Sequence, residues 1–268
     1  MQITFIGGGN MATAIIGGLV KQGGHSLHVV DPNADKLTYL YREFGAVGSH
    51  DLPDSFTASD VVVLAVKPQQ LKEICLQLAS RLNGAQVVSI AAGIRIEALA
   101  HWLQTERIVR VMPNTLSHGG QGCGRAVRSG RVGRKRPPGA AETIMQAAGI
   151  TVWLPEESGI DDITSVSGSG PAYVFYFIES MIEGAQQVGF SADEARRLVL
   201  ATFDGALELA RQSPLPVATL RQNVMSKGGT TERAIQRFEA EGVKAAIVAG
   251  ALDCRDRSIE LGQQLSRD

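Results

Sequence analysis

Six short runs, "ITFI", "LHVV", "VVVLAV", "QVVSIAA", "RIVRVM" and "TVWL", recur before Leu154 with helix-like stretches between them. Most are apolar throughout rather than alternating. A strand without a polar face must be covered on both sides, so the runs predict a mostly parallel sheet sandwiched by helices. The spacing predicts helices over Ala12–Lys21, Ala34–Phe44 and Gln69–Leu82. After Ser158 the strands stop. "PAYVFYFIESMIEGAQQVGF" reads as one long helix, with Pro171 in its first turn and Gly189 near its end. Ser191 and Glu194 then have capping-box spacing, opening a helix that stops before Pro214. Further helices are predicted at Val217–Met225, Thr231–Glu241 and Val243–Leu265. The fold class expected is α/β: an N-terminal doubly wound sheet of Rossmann type over residues 1–157, then an all-α domain over 158–268. The first helix of that second domain is apolar around much of its circumference, which calls for another subunit to cover it.

Composition narrows the function. The 268-residue chain carries a formal net charge of −1, which argues against nucleic acid or an anionic membrane as partner. Cys75, Cys123 and Cys254 are odd in number and share no metal-ligand spacing, so neither a disulfide framework nor a metal site is expected. Met1 leads straight into a strand without a basic leader, and no apolar run reaches the length of a membrane span. These readings place the protein in the cytoplasm.

The sharpest local signal is "FIGGGNMATAI", where Gly7, Gly9 and Ala12 follow the first strand in the pattern G-x-G-x-x-A. The first glycine permits a tight turn, the second lets backbone approach a pyrophosphate, and the small third residue lets helix and strand pack closely. The helix N-terminus faces the anion. The second strand ends at Asp31, about twenty residues on, where an acid bonds a ribose 2′-hydroxyl and favours NAD over NADP. "DPN" is equally good turn and N-cap chemistry. No arginine follows closely to hold a 2′-phosphate, although Lys36 stands in the next helix.

"AVKPQ" (Ala65–Gln69), "SIAAG" (Ser89–Gly93) and "RVMPNT" (Arg110–Thr115) each close a strand at the carboxyl edge, where doubly wound folds bind ligands. Together with "GGGNM", "SGSGPAYVF" (Ser167–Phe175) and "SKGGTTERA" (Ser226–Ala234), in this order and spacing, the chain resembles the pyrroline-5-carboxylate reductase family along nearly its whole length. The resemblance implies reduction of the cyclic imine 1-pyrroline-5-carboxylate to L-proline with NADPH or NADH. It also implies a Rossmann domain and a helical domain that dimerises, in some members building a ring of dimers. By position it assigns cofactor contacts to Ile6, Gly7, Gly8, Gly9, Asn10, Met11, Ala65, Val66, Lys67, Pro68, Ile90, Ala91 and Ala92, with Asn223 at the nicotinamide end. It assigns substrate contacts to Glu157, Thr230 and Thr231, with Ser226 and Gly229 beside them.

The break at Gly228–Gly229 has a physical reading of its own. It exposes the first amides of the following helix, a natural site for a carboxylate. Thr230 or Thr231 can cap that helix while the other hydroxyl faces the ring nitrogen. The Thr231 hydroxyl, or a water it orients, is the candidate to settle the nitrogen's proton. Lys67 reads either as a catalytic lysine or, more plainly, as a cation for the loop or cofactor phosphates. His118 reads as a surface residue.

Two departures from the family pattern stand out. Leu52 occupies a place where the family often has an asparagine near the cofactor ribose. From Leu116 to Ala140 no acidic residue occurs, while Arg125, Arg128, Arg131, Arg134, Lys135 and Arg136 crowd together. A nucleic-acid loop, a solvated loop and a compensated pair of frameshifts are the readings of this segment; the last explains why family-like sequence returns abruptly near Glu142. Two other functions fit a Rossmann domain followed by helices. A hydroxyacid-type dehydrogenase usually carries a lysine on the long helix, and Pro171–Gly189 has none. A non-enzymatic NAD(P)-binding sensor would need no second anion site such as the "GGTT" loop.

Overall fold

The computed structural model describes residues 1–113, 122–128 and 139–265; at 122–128, Ala148 and Ile150 only the backbone is described. The strands are β1 (Gln2–Ile6), β2 (Ser26–Val30), β3 (Val47–Ser49), β4 (Val61–Leu64), β5 (Gln86–Ser89), β6 (Ile108–Met112), β7 (Gly122–Arg128) and β8 (Gly149–Trp153). They form one sheet in the order β3-β2-β1-β4-β5-β6-β7-β8. Neighbours are parallel except β6 and β7. Chain order reverses between β1 and β4, which makes the crevice at their carboxyl ends the switch point of a doubly wound sheet.

The apolar runs serve both faces of this sheet. Along β4, Val61 and Val63 enter one core while Val62 and Leu64 enter the other, as successive side chains of a strand must. The first core takes Ile15, Ile16 and Leu19 from α1 (Asn10–Gln22) and Ile144 and Met145 from α5 (Gly139–Ala148). Gly18 lets these two helices touch, because a Cβ there would overlap the Ala147 carbonyl oxygen. The second core takes Leu71, Cys75 and Leu78 from α3 (Pro68–Leu78) and Leu99, Trp102 and Leu103 from α4 (Ile96–Leu103). Burial pushes the Cys75 thiol up to about 12, so it packs as an inert apolar group. Leu52 packs against the same core.

Helix α2 (Ala34–Phe44) falls where its signals place it: Asn33 accepts from the Lys36 amide at its start, and Gly45 closes it in the left-handed region. β7 arises inside the arginine-rich segment and pairs with both β6 and β8. Residues 116–121 and 129–138 of that segment, His118 among them, lie outside the described residues with Asn114 and Thr115, as do the side chains of Cys123, Arg125 and Arg128. The choice among its three readings falls there as well.

The chain divides into two compact units, Met1–Pro171 with Asp253–Asp268, and Ala172–Leu252. This differs from a single cut at 157/158. Helix α6 (Gly159–Ile163) and a π-helical segment (Thr164–Gly168) belong to the first unit, as does the C-terminal end of α11 (Val243–Leu265). That end is held by Ser258 donating to the buried Asp161 at 2.8 Å and Cys254 donating to Ser169 at 3.2 Å. The second unit comprises most of α7 (Gly170–Gln187), α8 (Ala192–Gln212), α9 (Val217–Asn223), α10 (Thr230–Ala240) and the start of α11. The capping box opens α8, with Ser191 and Glu194 bonded in both directions. Val174, Phe175, Tyr176 and Met181 of α7 and Leu198, Leu207 and Leu209 of α8 are exposed in the single chain. Among the described residues no helix is long and apolar enough to cross a membrane.

Candidate functional site

Three strand ends lie side by side at the carboxyl edge, since Ile6 pairs with Leu64 and Leu64 with Ser89. Each is followed by one of the expected cofactor stretches: Gly7 to Met11, Ala65 to Pro68, and Ile90 to Ala92. Gly7 has φ +103°, and a Cβ on it would sit 2.7 Å from the Ala65 carbonyl oxygen. Only glycine fits there, and its amide donates to Val30 at 2.8 Å. Gly9 is different: a Cβ there would meet nothing within 4 Å, so its backbone borders open space. Gly9 is also the N-cap of α1, makes no side-chain cap, and is followed by a first turn free of acids. Uncapped first-turn amides beside an open glycine fit a pyrophosphate. A cavity of about 440 Å³ adjoins the turn, lined by Gly8, Asn10, Thr13, Asp35, Lys36 and Tyr39.

Asp31 lies beneath the turn, 5% exposed. Its Oδ2 accepts from the Gly8 amide at 2.8 Å and its Oδ1 from the Asn33 amide at 2.9 Å. Lys36 Nζ stands 3.4 Å from Oδ2. Desolvation raises the carboxyl's pKa, but the two amide bonds and the Lys36 charge outweigh it, so the group is held below its usual value. The "DPN" turn reading and the dinucleotide reading therefore describe one carboxylate that does the first job visibly. Lys67 is exposed and is the N-cap of α3, with Pro68 in the first helical position and no side-chain cap. Ile90 donates to Leu64 at 3.1 Å, and Ala91 to the Ser89 hydroxyl at 3.4 Å.

Glu157 has a structural role that spacing did not reveal. Its Oε1 accepts from Arg110 Nη1 at 2.7 Å and from the Ile96 amide at 2.9 Å. The Arg110 side chain, in the middle of β6, is 3% exposed. Glu157 thus neutralises a buried guanidinium and caps α4 from 61 residues away. An arginine inside the apolar run "RIVRVM" was the available signal that some acid must meet it.

The second unit carries the remaining candidates. α9 ends at Asn223, and the loop through Ser226 leads to Gly228, with φ +74°. Gly229 is the N-cap of α10 and donates to the Ser226 carbonyl at 2.9 Å. Neither threonine caps the helix, which corrects that expectation: Thr230 and Thr231 are its first two residues, and Glu232 reaches back to accept from the Gly228 amide at 2.5 Å. Both hydroxyls are thereby left for other work, Thr231 half-buried and Thr230 exposed. A side chain on Gly229 would overlap the Ser226 hydroxyl. Asn223 is exposed. Among the described residues no group of three or more His, Cys, Asp or Glu side chains is placed to hold a metal ion.

The chain is 39% identical over 270 residues to a pyrroline-5-carboxylate reductase of Pseudomonas aeruginosa, covering 99% of this chain and 98% of that one. The chain belongs to the pyrroline-5-carboxylate reductase family. Residues 157–261 match the family model described as pyrroline-5-carboxylate reductase dimerisation, and residues 2–93 match one described as NADP oxidoreductase, coenzyme F420-dependent. The reductase of Pasteurella multocida is 38% identical over 97% of each chain. Among solved structures, a pyrroline-5-carboxylate reductase from Coxiella burnetii superimposes with a TM-score of 0.84 at 35% identity, covering 97% of each chain. That from Plasmodium falciparum, solved with NADP bound, gives 0.84 at 26% identity over 98% of each chain. The Rossmann sheet followed by a helical domain is thus the fold of this reductase family.

Proposed function

We propose that this chain reduces 1-pyrroline-5-carboxylate to L-proline, the last step of proline biosynthesis, with NADPH or NADH as hydride donor. The open glycine turn at the switch point of the sheet carries the cofactor part of the reading, and family membership carries the substrate. When bound, the nicotinamide supplies a hydride to the imine carbon. The chain's work is to hold carbon and donor about 3–3.5 Å apart and to exclude water.

The uncapped start of α1 receives the pyrophosphate, with Ile6, Gly7, Gly8, Gly9, Asn10 and Met11 forming its cradle and Asp31 beneath it. Ala65, Val66, Lys67, Pro68, Ile90, Ala91 and Ala92 form the neighbouring strand ends, and Asn223 approaches the nicotinamide. The substrate carboxylate takes the amides that open α10 beside Ser226, Gly229 and Thr230, where Glu232 is already engaged by Gly228. Glu157 is assigned to this set by position; its bonds to Arg110 and Ile96 support an indirect role. A protonated imine is already a good electrophile, so no strong acid is required. Its nitrogen keeps that proton while the carbon gains hydride, and the Thr231 hydroxyl orients it. The exposed apolar faces of α7 and α8 support a homodimer, the unit from which a ring of dimers is built. The reaction is assigned to the cytoplasm.

Replacing Thr231 by alanine removes the hydroxyl that orients the imine and is expected to lower kcat roughly a hundredfold. Cofactor affinity, read by fluorescence titration, should stay unchanged. Unaltered kcat would remove Thr231 from the chemistry.

A further inference from the structure

Resting on the dinucleotide reading above, we propose that Lys36 selects for a 2′-phosphorylated cofactor, its ammonium held in reserve on Asp31 until the phosphate takes it over. An acid at the end of β2 ordinarily argues for the unphosphorylated ribose. Here that acid is committed elsewhere. Asp31 is buried, and amides from Gly8 and Asn33 occupy both of its oxygens. It braces the glycine turn from below, with the two amides as its closer partners.

Lys36 is differently placed. It lies on α2, five residues after Asp31, and its side chain is 48% exposed. Its Nζ stands 3.4 Å from Asp31 Oδ2, a long contact for a charge-assisted bond. Asp31 therefore gives up little when the lysine turns away. Lys36 also lines the cavity beside the glycine turn, where, among the described residues, it is the one cation in the lining. Asp35 lines the same cavity and opposes an anion there, but it is exposed and screened by solvent. A phosphate on the ribose brings two negative charges and three acceptors to this edge. A lysine serves such a group as a movable point charge.

The test is calorimetric titration of the full-length wild-type protein and of K36Q and K36R with NADP⁺, NAD⁺, adenosine 2′,5′-bisphosphate and 5′-AMP. Affinity of K36Q for the two 2′-phosphorylated ligands should fall about tenfold. NAD⁺ and 5′-AMP should bind K36Q as they bind wild type, and K36R should keep the preference. Equal losses for all four ligands, or no loss for any, would overturn the assignment to Lys36. Failure of folded wild-type protein to bind either dinucleotide would overturn the cofactor reading itself.

Discussion

Gly7→Ala should lower stability by about 3 kcal/mol and remove measurable dinucleotide binding. Two costs combine. At φ +103° an L-residue is strained by roughly 1–2 kcal/mol. The added Cβ would also sit 2.7 Å from the Ala65 carbonyl oxygen and 2.9 Å from its carbon, both backbone atoms of the next strand end. Relief there means moving one strand end against another, at about 1–3 kcal/mol. For a chain of this size, a melting temperature lower by roughly 10 °C is expected in a thermal scan. Gly9→Ala separates the two effects. Open space surrounds that position, so the fold should keep its melting temperature while the methyl group blocks the anion's approach. Normal dinucleotide affinity in Gly9→Ala would mean that the pyrophosphate does not lie against this turn.

Glu157→Ala should be as damaging, through a different route. Removing the carboxylate leaves Arg110 97% buried without its partner and takes the cap from α4. Breaking one side of a buried pair costs about 3–5 kcal/mol, because the remaining charge is left uncompensated. The double variant Arg110→Met with Glu157→Ala should recover much of that loss, since no charge remains to be satisfied. Thermal melts of the two single variants and the double variant give the coupling. A raised KM for the imine with an unchanged melting temperature would instead make Glu157 a substrate contact.

How far these features were legible depended on how local their causes are. Helix α2 could be bounded from sequence because its start and stop signals, Asn33 and Gly45, lie beside it. The glycine turn was equally plain, since strand, glycines and helix are contiguous. Helix α4 was not, because its cap comes from Glu157, 61 residues later. β3 is three residues long and contains a glycine, too little for a periodicity to register. β7, "GCGRAVR", has no strand pattern of its own and gains its conformation from pairing on both sides. The return of α11 to the first unit depends on Cys254–Ser169 and Ser258–Asp161, contacts spanning 85 and 97 residues. At the site, residue types suggested that threonines would cap α10. Glycine at the N-cap and a glutamate reaching back took that role, and the hydroxyls stayed uncommitted to it.

The most direct measurement is oxidation of NADPH and of NADH by the purified protein in the presence of 1-pyrroline-5-carboxylate, with L-proline quantified as product. Turnover with stoichiometric proline is the expected result, faster with NADPH if Lys36 selects the cofactor. Folded protein that binds a dinucleotide yet forms no proline with either cofactor would contradict the assignment as a reductase of this imine.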